Sequence, residues 1–231
     1  MKLLAFELAT EACSVALWSD GEVAERFEIA PRRHAELALP WADELLADAG
    51  IARSQLDAVA VGRGPGAFTG VRLAIAIGQG IALALDRPLV PVSTLAVLAM
   101  RSTGPRVLAS IDARMGEVYL GAFERDAGGS HALADEVLAP PGTMALPEGD
   151  WHGVGTGFSA VEGALAHRLQ GGGAARLLSV DATQLPHAAD LARLAAVAFD
   201  RGGAVAPDAV EPAYLRNNVA LTLAEQRARK K

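Results

Sequence analysis

The sequence predicts an α/β protein of two duplicated lobes, each built on a mixed sheet in the order βββαβαβα, the second lobe less regular than the first. Three observations carry this expectation. Three strand-like runs open the chain, Lys2–Leu8, Cys13–Ser19 and Glu22–Ile29, with Asp20-Gly21 as a strong hairpin turn between the last two. Helical and short buried-strand patterns then alternate as far as Met100. Beyond Thr103-Gly104-Pro105 the same grammar begins again, and the acid near the end of the first strand recurs, Glu7 in the first unit and Asp112 in the second. The lobes are expected at residues 1–103 and 104–231, with a terminal segment of about 212–231 returning to the first lobe.

After the hairpin, His34–Ala49 reads as a helix. Leu37, Trp41 and Leu45 form one stripe with Ala38, Ala42 and Leu46 beside it, while Glu36, Asp43, Glu44 and Asp48 fall mostly outside it. Gly50 supplies the stop. Leu56–Val61 is a buried strand, Leu89–Val92 another, and Ser93 caps a helix over Leu95–Met100. In the second unit, strands are expected at Arg106–Ile111, Glu117–Glu124 and Ala132–Leu138, with a hairpin loop at Asp126–Gly129. A short strand at Val154, a helix at Phe158–Leu169, a strand at Ala175–Val180 and a helix at His187–Phe199 follow. Glu211–Arg216 is extended and Ala220–Arg229 helical. Three antiparallel strands followed by alternating helices and strands is the layout of a ribonuclease H-like unit.

The organising stretch is GRGPGAFTGVRLAIAIGQGIALAL, Gly62 to Leu85. Its glycines let the backbone take positive φ and approach something closely. Thr69 is the expected N-cap of the helix that follows. From Val71 to Leu85 the only polar side chains are Arg72 and Gln79, seven apart and so on one face. Small residues recur every four positions, Gly70, Ala74, Gly78 and Ala82, with a second ridge at Ala76, Gly80 and Ala84. A glycine inside a helix costs about 1 kcal/mol against alanine, so two of them imply a packing reason. Either the helix lies on its own sheet, or one ridge docks a helix of another chain; both readings stand together. A P-loop is excluded because Thr69-Gly70-Val71-Arg72 replaces its Gly-Lys-Ser/Thr, and the dinucleotide fingerprint fails at Ala67. A bilayer span needs about 20 apolar residues, and this run is shorter and holds Arg72 near its start.

The chain has 231 residues, is 51% hydrophobic and only 5% aromatic, so its core is mostly Ala, Val, Leu and Ile. A net charge of −6 argues against a stand-alone nucleic-acid binder, although Arg227, Arg229, Lys230 and Lys231 make a basic end. One cysteine, Cys13, permits no internal disulfide. It reads as a buried small hydrophobe rather than a nucleophile. No signal peptide precedes the first strand, and the expected compartment is the cytoplasm.

Two lobes with turns facing a cleft resemble the actin-like ATPase and sugar kinase superfamily. Glu7–Leu17, His34-Ala35-Glu36, the whole of GRGPGAFTGVR, Val92–Leu95 and Ile111–Tyr119 resemble the bacterial TsaB family, also called YeaZ. The likeness spans roughly the first 125 residues. It implies a non-catalytic partner of TsaD that, with the ATPase TsaE, helps attach a threonylcarbamoyl group to adenosine 37 of tRNAs reading codons that begin with A. It implies pairing with TsaD, or with a second copy as a homodimer, through the two helices after the third and fourth strands. The interface candidates are then His34, Leu37, Trp41, Leu45, Gly70, Ala74, Gly78 and Ala82. tRNA would be met only through the complex, and no membrane is involved. The resemblance places the metal-binding histidines of TsaD at Thr94 and Leu98, and leucine has no lone pair to give. No HxxxH or HExxH occurs among the five histidines, His34, His131, His152, His167 and His187.

Phosphate candidates are weak. Ala9-Thr10 replaces the glycine and hydroxyl residue of related kinases, while Glu7 and Asp112 either hold a hydrated Mg²⁺ or stand as solvent-facing acids at strand ends. Gly153–Gly157 either admits a nucleotide or is an ordinary strand-to-helix turn. Arg32-Arg33-His34 either meets an acid or phosphate on a partner or is a solvated capping cluster. No catalytic residue or tightly bound cofactor is expected, ATP or ADP with Mg²⁺ entering only in the complex with TsaD and TsaE. The rival expectation is a metal- or nucleotide-dependent hydrolase, glycoprotease-like, or a kinase of the same fold acting alone.

Overall fold

The computed structural model describes residues 1–216. The expected terminal helix and the basic end lie outside the described residues. The first sheet contains β1 (Lys2–Glu7), β2 (Ala12–Ser19), β3 (Glu22–Ile29), β4 (Ala58–Gly62) and β5 (Leu89–Val92), in the spatial order β3-β2-β1-β4-β5. β1 pairs antiparallel with β2, and β2 with β3; β1, β4 and β5 run parallel. Three helices follow these strands: α1 (His34–Asp48), α2 (Phe68–Leu85) and α3 (Thr94–Ala99).

The second sheet contains β6 (Arg106–Asp112), β7 (Val118–Asp126), β8 (Gly129–Ala132), β9 (Val137–Ala139), β10 (Gly149–Val154) and β11 (Ala175–Asp181). Its order is β11-β10-β6-β7-β8, with β9 also paired to β7. Two further α-helices lie among the described residues, α4 (Ala160–Gln170) and α5 (Ala188–Asp200). The duplicated ribonuclease H-like plan is therefore present, and the second copy is the less regular one.

Alternation along the strands decides which helices cover which face. In β1, Leu4 and Phe6 point to the side where Ala38 and Leu45 of α1 and Val71, Ala74 and Ala82 of α2 complete a core. Leu3 and Ala5 point to the other side, with Ala16, Ala58, Ala60 and Val90, and α5 covers them with Ala188, Leu191, Ala192 and Ala195. The second sheet repeats the arrangement. Val107, Ala109 and Phe123 pack against Leu95, Leu98 and Ala99 of α3, whereas Leu108, Leu120 and Trp151 pack against Leu165 and Leu169 of α4. The layers therefore run α1/α2, first sheet, α3/α5, second sheet, α4.

Some elements differ from expectation. Ser93 caps α3 as predicted, its Oγ accepting from Leu95 N and Ala96 N at 3.1 and 3.2 Å. Thr69 does not cap α2: the helix begins at Phe68, and its N-cap is Ala67, whose N–H donates to Ala9 O at 2.7 Å. The turn is docked on a neighbouring backbone, which sequence does not display. The expected strand at Ala132–Leu138 is two short strands, β8 and β9. The expected helix at Phe158–Leu169 opens as a 3₁₀ turn at Thr156–Phe158, and Val161, Glu162 and Gly163 then take left-handed dihedrals. The chain returns to the first sheet at α5, earlier than residue 212, and Val205 then pairs with Leu89 on the outer edge of β5.

Candidate functional site

Two places invite a function, the cleft between the sheets and the outer side of α1 and α2. The cleft, ≈ 1170 Å³, is formed by the turn after β1, the first turn of α2, the β6–β7 turn and residues 212–216. Its first-lobe wall is backbone laid on backbone. A Cβ at Gly70 would sit on the Leu8 carbonyl oxygen, and one at Gly66 would lie 2.5 Å from Ala9 O. These two glycines are close-approach residues. They press α2 onto the β1–β2 turn, where Ala9 O already holds Ala67 N.

Thr10 lines this wall but is occupied. Its Oγ1 accepts from Ala12 N at 3.3 Å, and its carbonyl lies 3.0 Å from His34 Nε2, which also lies 3.1 Å from Ala12 O. His34 therefore secures the β1–β2 turn of its own chain. Arg33 beside it is paired with Glu28 at 2.7 Å and Glu36 at 3.6 Å.

Glu7 corrects the expectation of a solvent-facing acid. It is 1% exposed, under Gly62, with Ala9 N donating to Oε1 at 3.0 Å and Thr94 Oγ1 donating at 3.2 Å to Oε2. Burial pushes its carboxyl up to about 7, against the two hydrogen bonds, which favour the charged form. Asp112 lies in the cleft wall, its Oδ1 accepting from Arg114 N at 2.8 Å and its Oδ2 from Arg114 Nη1 at 2.9 Å. Asp112 therefore lines the cleft, whereas Glu7 is closed off from it by Thr94 and the Ala9 amide. Among the described residues no group of three or more His, Cys, Asp or Glu is placed to hold a metal ion.

Thr94 and Leu98 are both fully buried, Thr94 on Glu7 and Leu98 against β6. The glycines of Gly153–Gly157 have a packing reason: a Cβ at Gly155 would strike Ser110 O, and one at Gly157 would strike Ser110 Oγ. Cys13 is fully buried, and its thiol is pushed up to about 12 by burial and by Glu28, against Arg33. A thiolate nucleophile is not available there.

The outer side of α1 and α2 is different in kind. Gly70, Ala74, Gly78 and Ala82 are all buried on the chain's own sheet, with the site of a Gly78 Cβ 3.0 Å from Leu89 Cδ2, and Leu45 is buried in the same core. These five residues are corrected from interface candidates to core. Leu37 and Trp41 are half-buried against that core and retain an open side. The second ridge, Ala76, Gly80 and Ala84, is exposed throughout, and nothing lies within 4 Å of a Cβ placed at Gly80. Beside it runs a groove of ≈ 310 Å³ between the helices, walled by Leu39, Ala42, Leu46, Ile81 and Leu85 and bordered by the Asp43–Arg53 ion pair. Leu83 at 64% exposure and Leu39 at 48% stand open on the same helices. The sequence displayed both ridges; which one faces out depends on the rotation of α2, which tertiary packing sets. By length and composition α2 is apolar enough to cross a bilayer, but a third of it is buried on the sheet.

The two sheets, each with its helices, form the duplicated ribonuclease H-like body of the actin-like class. The sequence model of the family described as "TsaD: tRNA N6-adenosine threonylcarbamoyltransferase" matches residues 27–223. The protein of Escherichia coli called tRNA threonylcarbamoyladenosine biosynthesis protein TsaB is 42% identical over 229 residues, covering 95% of this chain and 96% of that one. The TsaB protein of Haemophilus influenzae is 36% identical, covering 95% of each. The solved structure of YeaZ from Pseudomonas aeruginosa superposes with a TM-score of 0.85 at 45% identity, covering 93% of this chain and 99% of that one. The chain belongs to the TsaB (YeaZ) family.

Proposed function

We propose that this chain acts in tRNA threonylcarbamoyladenosine biosynthesis as a non-catalytic scaffold that docks a TsaD-type subunit on the outer side of α1 and α2. The same side would pair two copies when the chain is alone. The observation that carries this reading is the exposed ridge Ala76–Gly80–Ala84 beside an apolar groove. Side chains this small let a partner helix approach closely, and four-residue spacing forms the ridge it would pack against. The names of the TsaB relatives supply the pathway. Nucleotide with Mg²⁺, TsaE and tRNA would then be met in the assembled complex, in the cytoplasm, because Glu7, Thr10 and Asp112 are each engaged within this chain.

The test is Gly80→Arg, which adds a bulky charge where nothing of this chain is met. The variant should fold normally. By light scattering behind size-exclusion chromatography, it should lose both self-association and one-to-one binding to TsaD. Unchanged affinity for TsaD would remove this side of the molecule from consideration. Turnover by the isolated chain would restore the rival reading of an independent hydrolase or kinase.

A further inference from the structure

Three arginines of the cleft are already engaged by the chain itself. Arg114 is on Asp112, Arg72 is on Tyr214 and Arg216 is on Glu117. Two of these three pairings involve one segment that crosses from lobe to lobe, through Tyr214 and Arg216. It begins at Val205, which exchanges backbone hydrogen bonds with Leu89 at 2.8 and 2.9 Å. Gln79 Nε2 on α2 then donates to Pro207 O at 2.9 Å and to Val210 O at 3.3 Å. Ala213 N donates to Arg63 O at 2.8 Å, and Arg72 Nη2 donates to Tyr214 OH at 2.6 Å with its guanidinium 3.3 Å from the centre of the Phe68 ring. Arg72 and Gln79, the two polar residues of α2 after Thr69, therefore both serve to hold this segment.

On the second lobe the segment is anchored, among the described residues, by Arg216. Arg216 Nη2 donates to Ala113 O at 3.0 Å and meets Glu117 Oε2 at 2.9 Å, and Nη1 lies 3.1 Å from Met115 Sδ. All three partners belong to the β6–β7 turn. Arg114 and Met115 there take φ of 63° and 57°, a left-handed conformation that side-chain-bearing residues adopt only when their surroundings hold them. Among the described residues the attachment is thus many-sided on the first lobe and rests on one charged side chain on the second.

We propose that residues 205–216 form a clasp across the cleft, closed by Arg216 on the Ala113–Glu117 turn, which limits how far the lobes separate and links that separation to α2. An ion pair with each side chain a fifth to a quarter exposed suits a closure that opens and recloses. The clasp stands on contacts within this chain and does not depend on which partner α2 docks.

The test is amide hydrogen exchange on the full chain, read at Glu117 in the turn, Ala213 in the clasp and Val71 in the first turn of α2. Glu117→Arg places like charges together and should speed exchange at all three, by about tenfold where opening limits it. The swapped pair Glu117→Arg with Arg216→Glu should return Ala213 and Val71 most of the way to the parent rates, since it restores the charge attraction but not the donor to Ala113 O. Raising salt to about 1 M on the unmodified chain should act in the same direction as the single variant, more weakly, because screening weakens a part-exposed pair. Faster exchange at Glu117 alone, or a swapped pair that does not restore Ala213 and Val71, overturns the proposal.

Discussion

Glu7 is the residue whose physical state departs most from its composition. A carboxyl at the end of a strand beside a cleft is ordinarily charged at neutral pH; here burial outweighs the hydrogen bonds from Ala9 N and Thr94, and the proton is held up to about pH 7. Its ordinary value is 4.5. Because the folded state binds this proton more tightly than the unfolded chain, its contribution to stability is fully present below about pH 4.5. It is lost as pH rises to about 7 and is constant above that. The difference between the two values corresponds to about 3 kcal/mol. Glu7→Gln keeps an acceptor for Ala9 N and a neutral partner for Thr94. In urea unfolding at pH 8 it should be the more stable protein by up to that amount, and the advantage should vanish near pH 4. A variant that is less stable than the parent at pH 8 would show that the charged form is accommodated after all.

At the scale of the element, α2 decides most, and its two interior glycines separate its faces. A Cβ at Gly78 meets Val61 and Leu89, while one at Gly80 meets nothing within 4 Å. Gly80→Ala should therefore stabilise by about 1 kcal/mol, the ordinary helix gain. Gly78→Ala should lose that gain to overpacking and end about 1–2 kcal/mol less stable than the parent. The comparison is read from paired urea midpoints. This contrast also marks the limit of what periodicity conveys. The βββαβαβα order, the Ser93 cap and the strands β3 and β5 are local facts, written in alternation, turn residues and hydroxyl placement, and they were legible. Which ridge is buried, Gly70/Ala74/Gly78/Ala82 or Ala76/Gly80/Ala84, was not, because two small-residue ridges on one helix are equivalent until the helix is rotated onto a sheet. Nor was the sealing of Glu7, which depends on Thr94, a residue 87 positions away. The hold of His34 on the β1–β2 turn was hidden for the same reason: its partners Thr10 and Ala12 are backbone oxygens across the fold, and carbonyl groups carry no sequence signal.

The whole molecule is less divisible than its repeat suggests. A boundary at 103 separates the sheets but not their cores. α3, from the first unit, packs on β6 and β7 of the second sheet; α5, from the second, covers Leu3, Ala5, Ala16, Ala58, Ala60 and Val90 of the first. The polar ends of α5 repeat the exchange. Ser14 Oγ accepts from Ala188 N at 2.7 Å, and Glu25 Oε1 accepts from Ala189 N at 3.0 Å, so the first lobe caps a helix of the second. Each lobe therefore lacks a face of its core without the other, and hydrophobic burial is the dominant favourable term in folding. The full chain should unfold in one transition. Trp18 and Trp41 report on the first lobe and Trp151 on the second, so variants keeping only one set should give coincident urea curves. Residues 1–103 alone should give neither a cooperative melt nor a dispersed amide spectrum, because the apolar face that α5 covers would be open to water. A fragment that folds by itself, or fluorescence curves that separate, would mean that the middle layer of α3 and α5 joins two bodies that are each already complete.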